Sequence, residues 1–586
     1  MGRQHKYIIA DPKPPTDSTD VDLKLKDVEE GEVEKKRYMC GGFFGFSCLA
    51  IVAFIIGAIL VAGISAIATL GALGYLDMMK GTIRPKPTYT TKTETPTVTS
   101  VYNVTTQSPN VTITTTELPT KTELTTELPV ITSSLSPVTT SHSTTPKITT
   151  AIPSLGYNYS EVLHKSILFY EAERSGELPP DNRIPYRRDS AMEDQGLNGE
   201  DLTGGWYDAG DHLKSTFSTA YAVSTLTWGF LAFPDGYREA GEYDRFLDSI
   251  KWPLDWLLKA HTIPGEELYV QVGLPSADHR YWGRPEEMTM DRPAYKIDAE
   301  NPGSDVAGQT AAAMAAGYLA FRDSDPDYAD TLLNNSRLLY TFASTYRGRY
   351  SDVLDTVIYT SGAYGDELAW AAVWLHLATG EQSYLDDAME FYEEFELWKN
   401  PRHLLLLYNI TNDGQYSSKF KKCMNMWLPG GGINRVFNGQ LAVYLDWGSL
   451  RYTSTMAFLA LVAADIGIRP TAYRDFAISQ INFMLGDGGR SYVVGFGENP
   501  PQRVHHRAAS CPDMPTSCRW NYFGSSEPNP QILYGALAGG PNKAGVYQDS
   551  RSSYETNEVA IDYNAGFQSA IAGMLNLQVI GVDTST

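Results

Sequence analysis

Asp325-Pro326-Asp327-Tyr328-Ala329-Asp330-Thr331-Leu332-Leu333 opens a run that continues to Tyr346, and the fold is decided by how this run is read. An aspartate followed at once by proline marks a helix start: the carboxylate accepts an orphaned N–H of the first turn, and the proline ring already holds a helical φ. Tyr328 to Tyr346 therefore reads as a helix. Working outward, Leu254, Leu257 and Leu258 fall at helical spacing, and Pro470 opens a segment carrying Phe476, Ile481 and Met484 that stops at Gly486. Apolar-periodic stretches recur at 160–173, 217–232, 306–322, 365–379, 382–398, 452–466 and 557–575, while alternating strands are scarce. About a dozen helices are predicted. The connections 262–305 and 486–556, rich in Gly, Pro and aromatics, read as loops that build a site. From residue 154 onward the chain is roughly 430 residues long, more than one simple core supports, so it is either two domains or a layered architecture.

The 586 residues include 47 basic and 69 acidic side chains, a net charge of −22, with 42% apolar residues. Such a surface repels phosphate backbones, which excludes a nucleic-acid partner and favours neutral polymers such as glycans. Five cysteines are too few for a disulfide scaffold, so the fold must rest on a packed core.

Ahead of the helical region the composition changes twice. Residues 1–37 are charged and read as a cytosolic tail; 38–76 hold no charged residue, and Leu49 to Leu70 is long enough to cross a bilayer. With a tail of nearly forty residues before it, this segment reads as a retained signal-anchor and not a cleaved leader. Residues 77–153 are dominated by Thr, Ser and Pro and read as an extended, O-glycosylated stalk. Lys35, Lys36 and Arg37 are balanced by Lys80, Arg84 and Lys86, so charge alone leaves the orientation open. The stalk, and Asn-x-Ser/Thr acceptors at Asn103, Asn110, Asn158, Asn334 and Asn409, all lie beyond the span and point to a type II protein with its C-terminal part lumenal or extracellular. Ala58, Ala62 and Ala66 at four-residue spacing would allow a homodimer through the membrane helix, against the plainer reading of ordinary membrane hydrophobicity.

Three clusters carry chemistry. In Gly204-Gly205-Trp206-Tyr207-Asp208-Ala209-Gly210-Asp211-His212, two carboxylates three apart could hold a water in a cleft; helix capping, or a cation site using Asp208, Asp211 and His212, reads equally well. Glu558, in Asn557-Glu558-Val559-Ala560-Ile561-Asp562-Tyr563-Asn564, has no adjacent Lys or Arg and would be a proton donor if buried, or else a helix-start carboxylate. Ser491 to Asn499 with Arg503-Val504-His505-His506-Arg507 supplies donors suited to sugar hydroxyls, and no familiar zinc spacing accompanies the His pair.

Together these clusters resemble glycoside hydrolase family nine, the endoglucanase and cellulase family, from about Tyr157 to Val582. Asp208-Ala209-Gly210-Asp211 matches its DAGD motif, and 491–507 and 547–565 fit its two later signatures. Ser175-Gly176-Glu177-Leu178-Pro179, Asp278-His279 with Trp282, and Pro302-Gly303-Ser304-Asp305 agree with it. The resemblance implies an all-α (α/α)6 barrel over 154–586 and an inverting endo-β-1,4-glucanase, with Asp211 as general base, Asp208 positioning the water and Glu558 as general acid. For inversion the two carboxyl groups are expected about 6.5–9.5 Å apart. It further implies substrate contacts from His505, Arg507, Tyr563, His279 and Trp282, to which Trp206, Trp427 and Trp447 are added as candidate stacking faces. No cofactor is expected. Ser361, Gly362, Asp366 and Glu367 resemble the start of the calcium site of some members, but 401–416 departs from the pattern and no downstream aspartate completes it. Cys511 and Cys518 bracket a loop that could be disulfide-closed outside the cytosol, leaving Cys423 unpaired. The alternative is a non-catalytic glycan-binding protein on the same barrel, which loss of any of the three carboxylates would have favoured; none is lost.

Overall fold

The computed structural model describes residues 156–584 and, near the N-terminus, His5–Lys6. The predicted tail 1–37 (apart from His5–Lys6), membrane span 38–76 and stalk 77–153 lie outside the described residues, and among those described no helix is long and apolar enough to cross a membrane. Twelve helices of eleven residues or more stand out among the described residues. They are α1 (Tyr159–Ala172), α2 (Thr216–Ala232), α3 (Tyr243–Ala260), α4 (Ser304–Phe321), α5 (Pro326–Thr345), α6 (Gly365–Thr379), α7 (Gln382–Glu394), α8 (Pro401–Thr411), α9 (Gly414–Asn425), α10 (Ser449–Asp465), α11 (Pro470–Asn482) and α12 (Ile561–Val579).

Their contacts close on themselves. α2 packs on α4, α4 on α6, α6 on α8, α8 on α10, α10 on α12, and α12 returns to α2. Outside this ring, α1 lies on α12, α3 on α2 and α4, α5 on α4, α7 on α6, α9 on α8 and α11 on α10. This double ring of six inner and six outer helices is the layered alternative to two domains.

Sequence explains which helix goes where. α4 carries Ala311-Ala312-Ala313-Met314-Ala315-Ala316 and is buried on all faces, because small side chains let an inner helix touch neighbours on every side. α5 buries Ala329, Leu332, Ser336, Leu339 and Ala343 at three- and four-residue steps, with Tyr340 and Phe342 flanking that stripe, and turns its other face outward, as an outer helix must. Its start is as predicted: Asp325 Oδ1 accepts from Tyr328 N at 3.3 Å, with Pro326 in the first turn. On the inner side Trp228 of α2 meets Trp370 of α6 at 5.6 Å and Phe458 of α10 at 5.1 Å, filling the centre with aromatic volume. Each such ring contributes roughly 1.5–3 kcal/mol by burial.

Three expectations change. α8 and α9 fall where no helix is predicted: Leu404-Leu405-Leu406-Leu407 is continuously apolar because this part of the inner helix is buried on every side, so the run shows no stripe. The predicted helix 382–398 ends at Glu394, followed by Glu396 at φ 53° and a short 3₁₀ turn, Leu397–Lys399. The loop 262–305 contains strands, Leu268–Val272 lying between Lys214–Ser215 and Ala294–Ile297 in an antiparallel sheet. All five residues of Leu268–Val272 are buried, which erases the alternation that would have marked them. A small hairpin pairs Asn434–Val436 with Leu441–Val443, and His5–Lys6 lies antiparallel to Tyr359–Thr360. Cys511 and Cys518 are disulfide-bonded and Cys423 is a free thiol, the pairing expected.

First- and second-turn residues of all six inner helices, Phe217, Gln309, Asp366, Arg402, Arg451 and Asp562, line one cavity of about 790 Å³ including its solvent-open part. The inner helices thus begin at the same end of the ring, and the loops that precede them gather there.

Candidate active site

Three backbone segments knot together at that end. Ala209 forms an antiparallel bridge with Ala560 just before α12, and His505 forms a parallel bridge with Glu558. Ile561 N donates to Asp208 O at 3.0 Å, Arg507 N to Gly210 O at 2.9 Å, and His505 N to Asn557 O at 2.9 Å. Gly210 is required here, because a methyl group at its Cα would overlap the His505 carbonyl oxygen. The DAGD run, the histidine-arginine segment and the Glu558 segment, remote in sequence, are thereby fixed side by side. Asp211 lies two residues on from Ala209 and Glu558 two back from Ala560, on the two segments that this bridge joins.

The carboxylates sit in different company. Asp208 is fully buried and accepts from Ser218 Oγ at 2.5 Å and from the Tyr359 hydroxyl at 2.7 Å. Burial and the Asp208 charge hold the Tyr359 phenol well above its ordinary pKa, so it stays a donor. Asp211 contacts His279 Nε2 through Oδ2 at 3.2 Å and accepts from Leu213 N at 3.3 Å. Glu558 is buried, caps the short turn Tyr554–Asn557, and accepts on its carbonyl from Gly539 N at 2.8 Å.

Around them, His505 Nδ1 meets Arg551 O at 2.5 Å. Arg507 is buried and ion-pairs with Asp278, whose other oxygen accepts from His212 N at 3.2 Å. Burial and the nearby Arg507 charge depress the pKa of His212, leaving a neutral ring whose Nε2 donates to Gly283 O at 3.0 Å. His506 turns away: its Nδ1 accepts from Ala509 N and its Nε2 reaches Glu173 at 3.0 Å, so it is a structural histidine. Tyr563 packs with Ala209 and Ala560, and the Arg451 guanidinium lies 4.9 Å from its ring centre.

The candidate tryptophans separate. Trp447 packs against Ala209, Ala560 and Tyr563 at the site. Trp206 is a core residue tilted against Tyr170 at 4.7 Å, and Trp427 is buried beside Tyr444, so neither offers a face to a ligand there. Trp282 is 2% exposed with its indole N–H on Ser510 Oγ at 2.9 Å; it supports His505 and Arg507 from behind and is not an open platform. Sequence reasoning missed Ser218, Tyr359 and the role of Asp278, which carry no local signal because each acts on a partner far along the chain.

Two groups have the donors for a metal. Asp211, Asp278 and His279 approach within metal-binding range, but the Asp278 carboxylate is already engaged by Arg507. Ser361, Gly362, Asp366 and Glu367 line the axial cavity together with Asn400. Glu367 Oε2 and Asn400 Oδ1 are buried acceptors with no donor, a set that suits a hard cation. Burial and the Asp366 charge push the Glu367 carboxyl well up; Asp366, raised by burial but hydrogen-bonded by Glu367, ends below its ordinary value.

The sequence profile of Glycosyl hydrolase family 9 matches residues 159–571. Endoglucanase A of Bacillus pumilus is 44% identical over 447 residues, covering 72% of this chain and 67% of that protein. The endoglucanase of the termite Nasutitermes takasagoensis superposes with a TM-score of 0.70 at 47% identity, covering 72% of this chain and 99% of the termite one. Endoglucanase CelQ from Clostridium thermocellum, solved with cellotetraose, gives a TM-score of 0.64 at 34% identity over 74% of this chain and 72% of its own. This chain is a glycoside hydrolase and belongs to glycosyl hydrolase family 9.

Proposed function

We propose that the protein is a membrane-anchored endo-β-1,4-glucanase that cleaves internal glucosidic bonds with inversion. The observation that carries this reading is the Ala209–Ala560 bridge, which joins the segment bearing the DAGD carboxylates to the segment bearing Glu558 at the loop end of the ring. Asp211, ionised and held against His279, takes a proton from water; Asp208, fixed by Ser218 and Tyr359, orients that water; Glu558 protonates the departing sugar oxygen. Each proton removed from water on one face is matched by one delivered on the other, so the pair resets by exchange with solvent. His505, Arg507, His279 and Tyr563 bind the sugars flanking the cut. The test is reducing-end release from carboxymethylcellulose: turnover by the wild-type chain, lost in Asp211→Ala and Glu558→Gln, supports the reading. Binding of the glucan without turnover would instead make the barrel a glycan receptor.

The anchor and stalk rest on the sequence of 38–153, and the exposed acceptors Asn334 and Asn409 on α5 and α8 fit glycosylation on the lumenal side. A cytosolic tail excludes the pairing of His5–Lys6 with Tyr359–Thr360, since the two would stand on opposite sides of the bilayer. Protease protection of an N-terminal tag in sealed vesicles decides between them. We also assign a structural calcium ion to Ser361, Gly362, Asp366 and Glu367, with Asn400 supplying the donor missing from the sequence pattern. Its role is to tie the start of α6 to α8. Calcium at a hundred times its dissociation constant should stabilise the fold by about 2.7 kcal/mol, and Asn400→Leu should remove that shift.

A further inference from the structure

His505 belongs to a chain of aromatic contacts. Its ring centre lies 6.0 Å from Tyr554, which lies 5.4 Å from Trp447 against Ala209 and Ala560. It also lies 6.3 Å from Phe523, which is 5.3 Å from Trp520, both pairs meeting edge to face. Each step is comparable to the length of one pyranose ring. Phe523 and Trp520 are partly exposed, whereas Trp282 beneath both is buried. This outer end is not an extension of the barrel core: Trp282, Cys511 and Cys518 form a small apolar cluster of their own, with Trp520, Tyr522 and Phe523 against it.

The outer end is also held rigidly. The Cys511–Cys518 bridge closes the loop leading into it, and the buried Arg284 guanidinium donates to the carbonyls of Pro512 and, at 2.6 Å, Thr516 inside that loop. The Trp520 indole N–H is satisfied by Arg280 O at 3.1 Å, which orients a ring that packs on Trp282 and stays partly exposed. A fixed aromatic face beside a polar site loses little entropy when a ligand stacks on it.

Resting on the glucanase reading, we propose that Trp520 and Phe523 form a distal glucosyl platform, one step beyond the sugar held at His505, and that the Cys511–Cys518 bridge holds the platform in place. It would contribute only to chains long enough to reach it. The test uses the full-length protein and compares cellotriose with cellohexaose. Trp520→Ala and Phe523→Ala should raise KM for cellohexaose roughly three- to tenfold more than KM for cellotriose, with kcat on cellohexaose moving less than KM. Trp520→Tyr should recover most of the loss, and Cys511→Ser with Cys518→Ser should reproduce it. Equal effects on both substrates, or a fall in kcat at constant KM, would overturn the platform while leaving the glucanase reading intact. A wild-type protein inactive on every β-1,4-glucan would overturn the glucanase reading itself; quenching of tryptophan fluorescence by cellohexaose, lost in Trp520→Ala, would then still support the platform, and its persistence would overturn it.

Discussion

Tyr359→Phe removes one oxygen from a fully buried ring and leaves its shape unchanged. That oxygen donates to Asp208 Oδ2 at 2.7 Å, while Ser218 Oγ donates to Oδ1 at 2.5 Å. A hydrogen bond to a charged group contributes about 1.5–3 kcal/mol. If Asp208 must be ionised and fixed to orient the attacking water, most of that loss appears in the transition state. At 1.36 kcal/mol per decade, kcat on cellohexaose should fall roughly ten- to a hundredfold, with KM nearly unchanged. Ser218→Ala should act in the same direction, and the double variant should fall short of the product of the two, since both donors serve one carboxylate. Wild-type kcat in Tyr359→Phe would refute the positioning role given to Asp208.

Asp278→Asn should destabilise the fold by roughly 3–5 kcal/mol in denaturant unfolding, because it leaves the buried Arg507 guanidinium facing a neutral amide; a loss below about 1 kcal/mol would contradict this. Burial pushes the Asp305 carboxyl up to about 7 from 3.8, though it accepts from Val306 N at 2.9 Å and Tyr350 N at 3.1 Å. The native state then binds this proton more tightly than the unfolded chain, so its contribution is present below about pH 4 and lost as pH rises towards 7, by roughly 4 kcal/mol at most. Comparing the melting temperature of wild type and Asp305→Asn at pH 5 and pH 7.5 should show a steeper fall in the wild type, and parallel behaviour would count against it.

Much of this was legible in the chain. Asp325-Pro326 marked a helix start because capping is local, and the outer helix α5 showed its stripe because one face is wet. The leucine run of the inner helix α8 and the strand Leu268–Val272 were illegible for one reason: both are surrounded by protein, and continuous burial removes the periodicity that announces an element. At the site, Asp208, Asp211 and Glu558 could be named from the motifs, whereas the residues that condition them could not. Tyr359 reaches Asp208 across 151 positions and Asp278 reaches Arg507 across 229, and nothing in the neighbourhood of either residue hints at the partner. The tryptophans show the converse limit, since Trp206 and Trp447 look alike in sequence and only packing separates a core ring from one at the site.

The account stands on Glu558 as proton donor and Asp211 as proton acceptor, and a change of leaving group separates the two roles. On 2,4-dinitrophenyl cellobioside the departing phenolate needs no proton. Glu558→Gln should therefore keep that activity within about tenfold of wild type while losing roughly 10²–10⁴-fold on cellohexaose, and Asp211→Asn should lose both. Equal losses of Glu558→Gln on the two substrates, or survival of the aryl glycoside activity in Asp211→Asn, would contradict it.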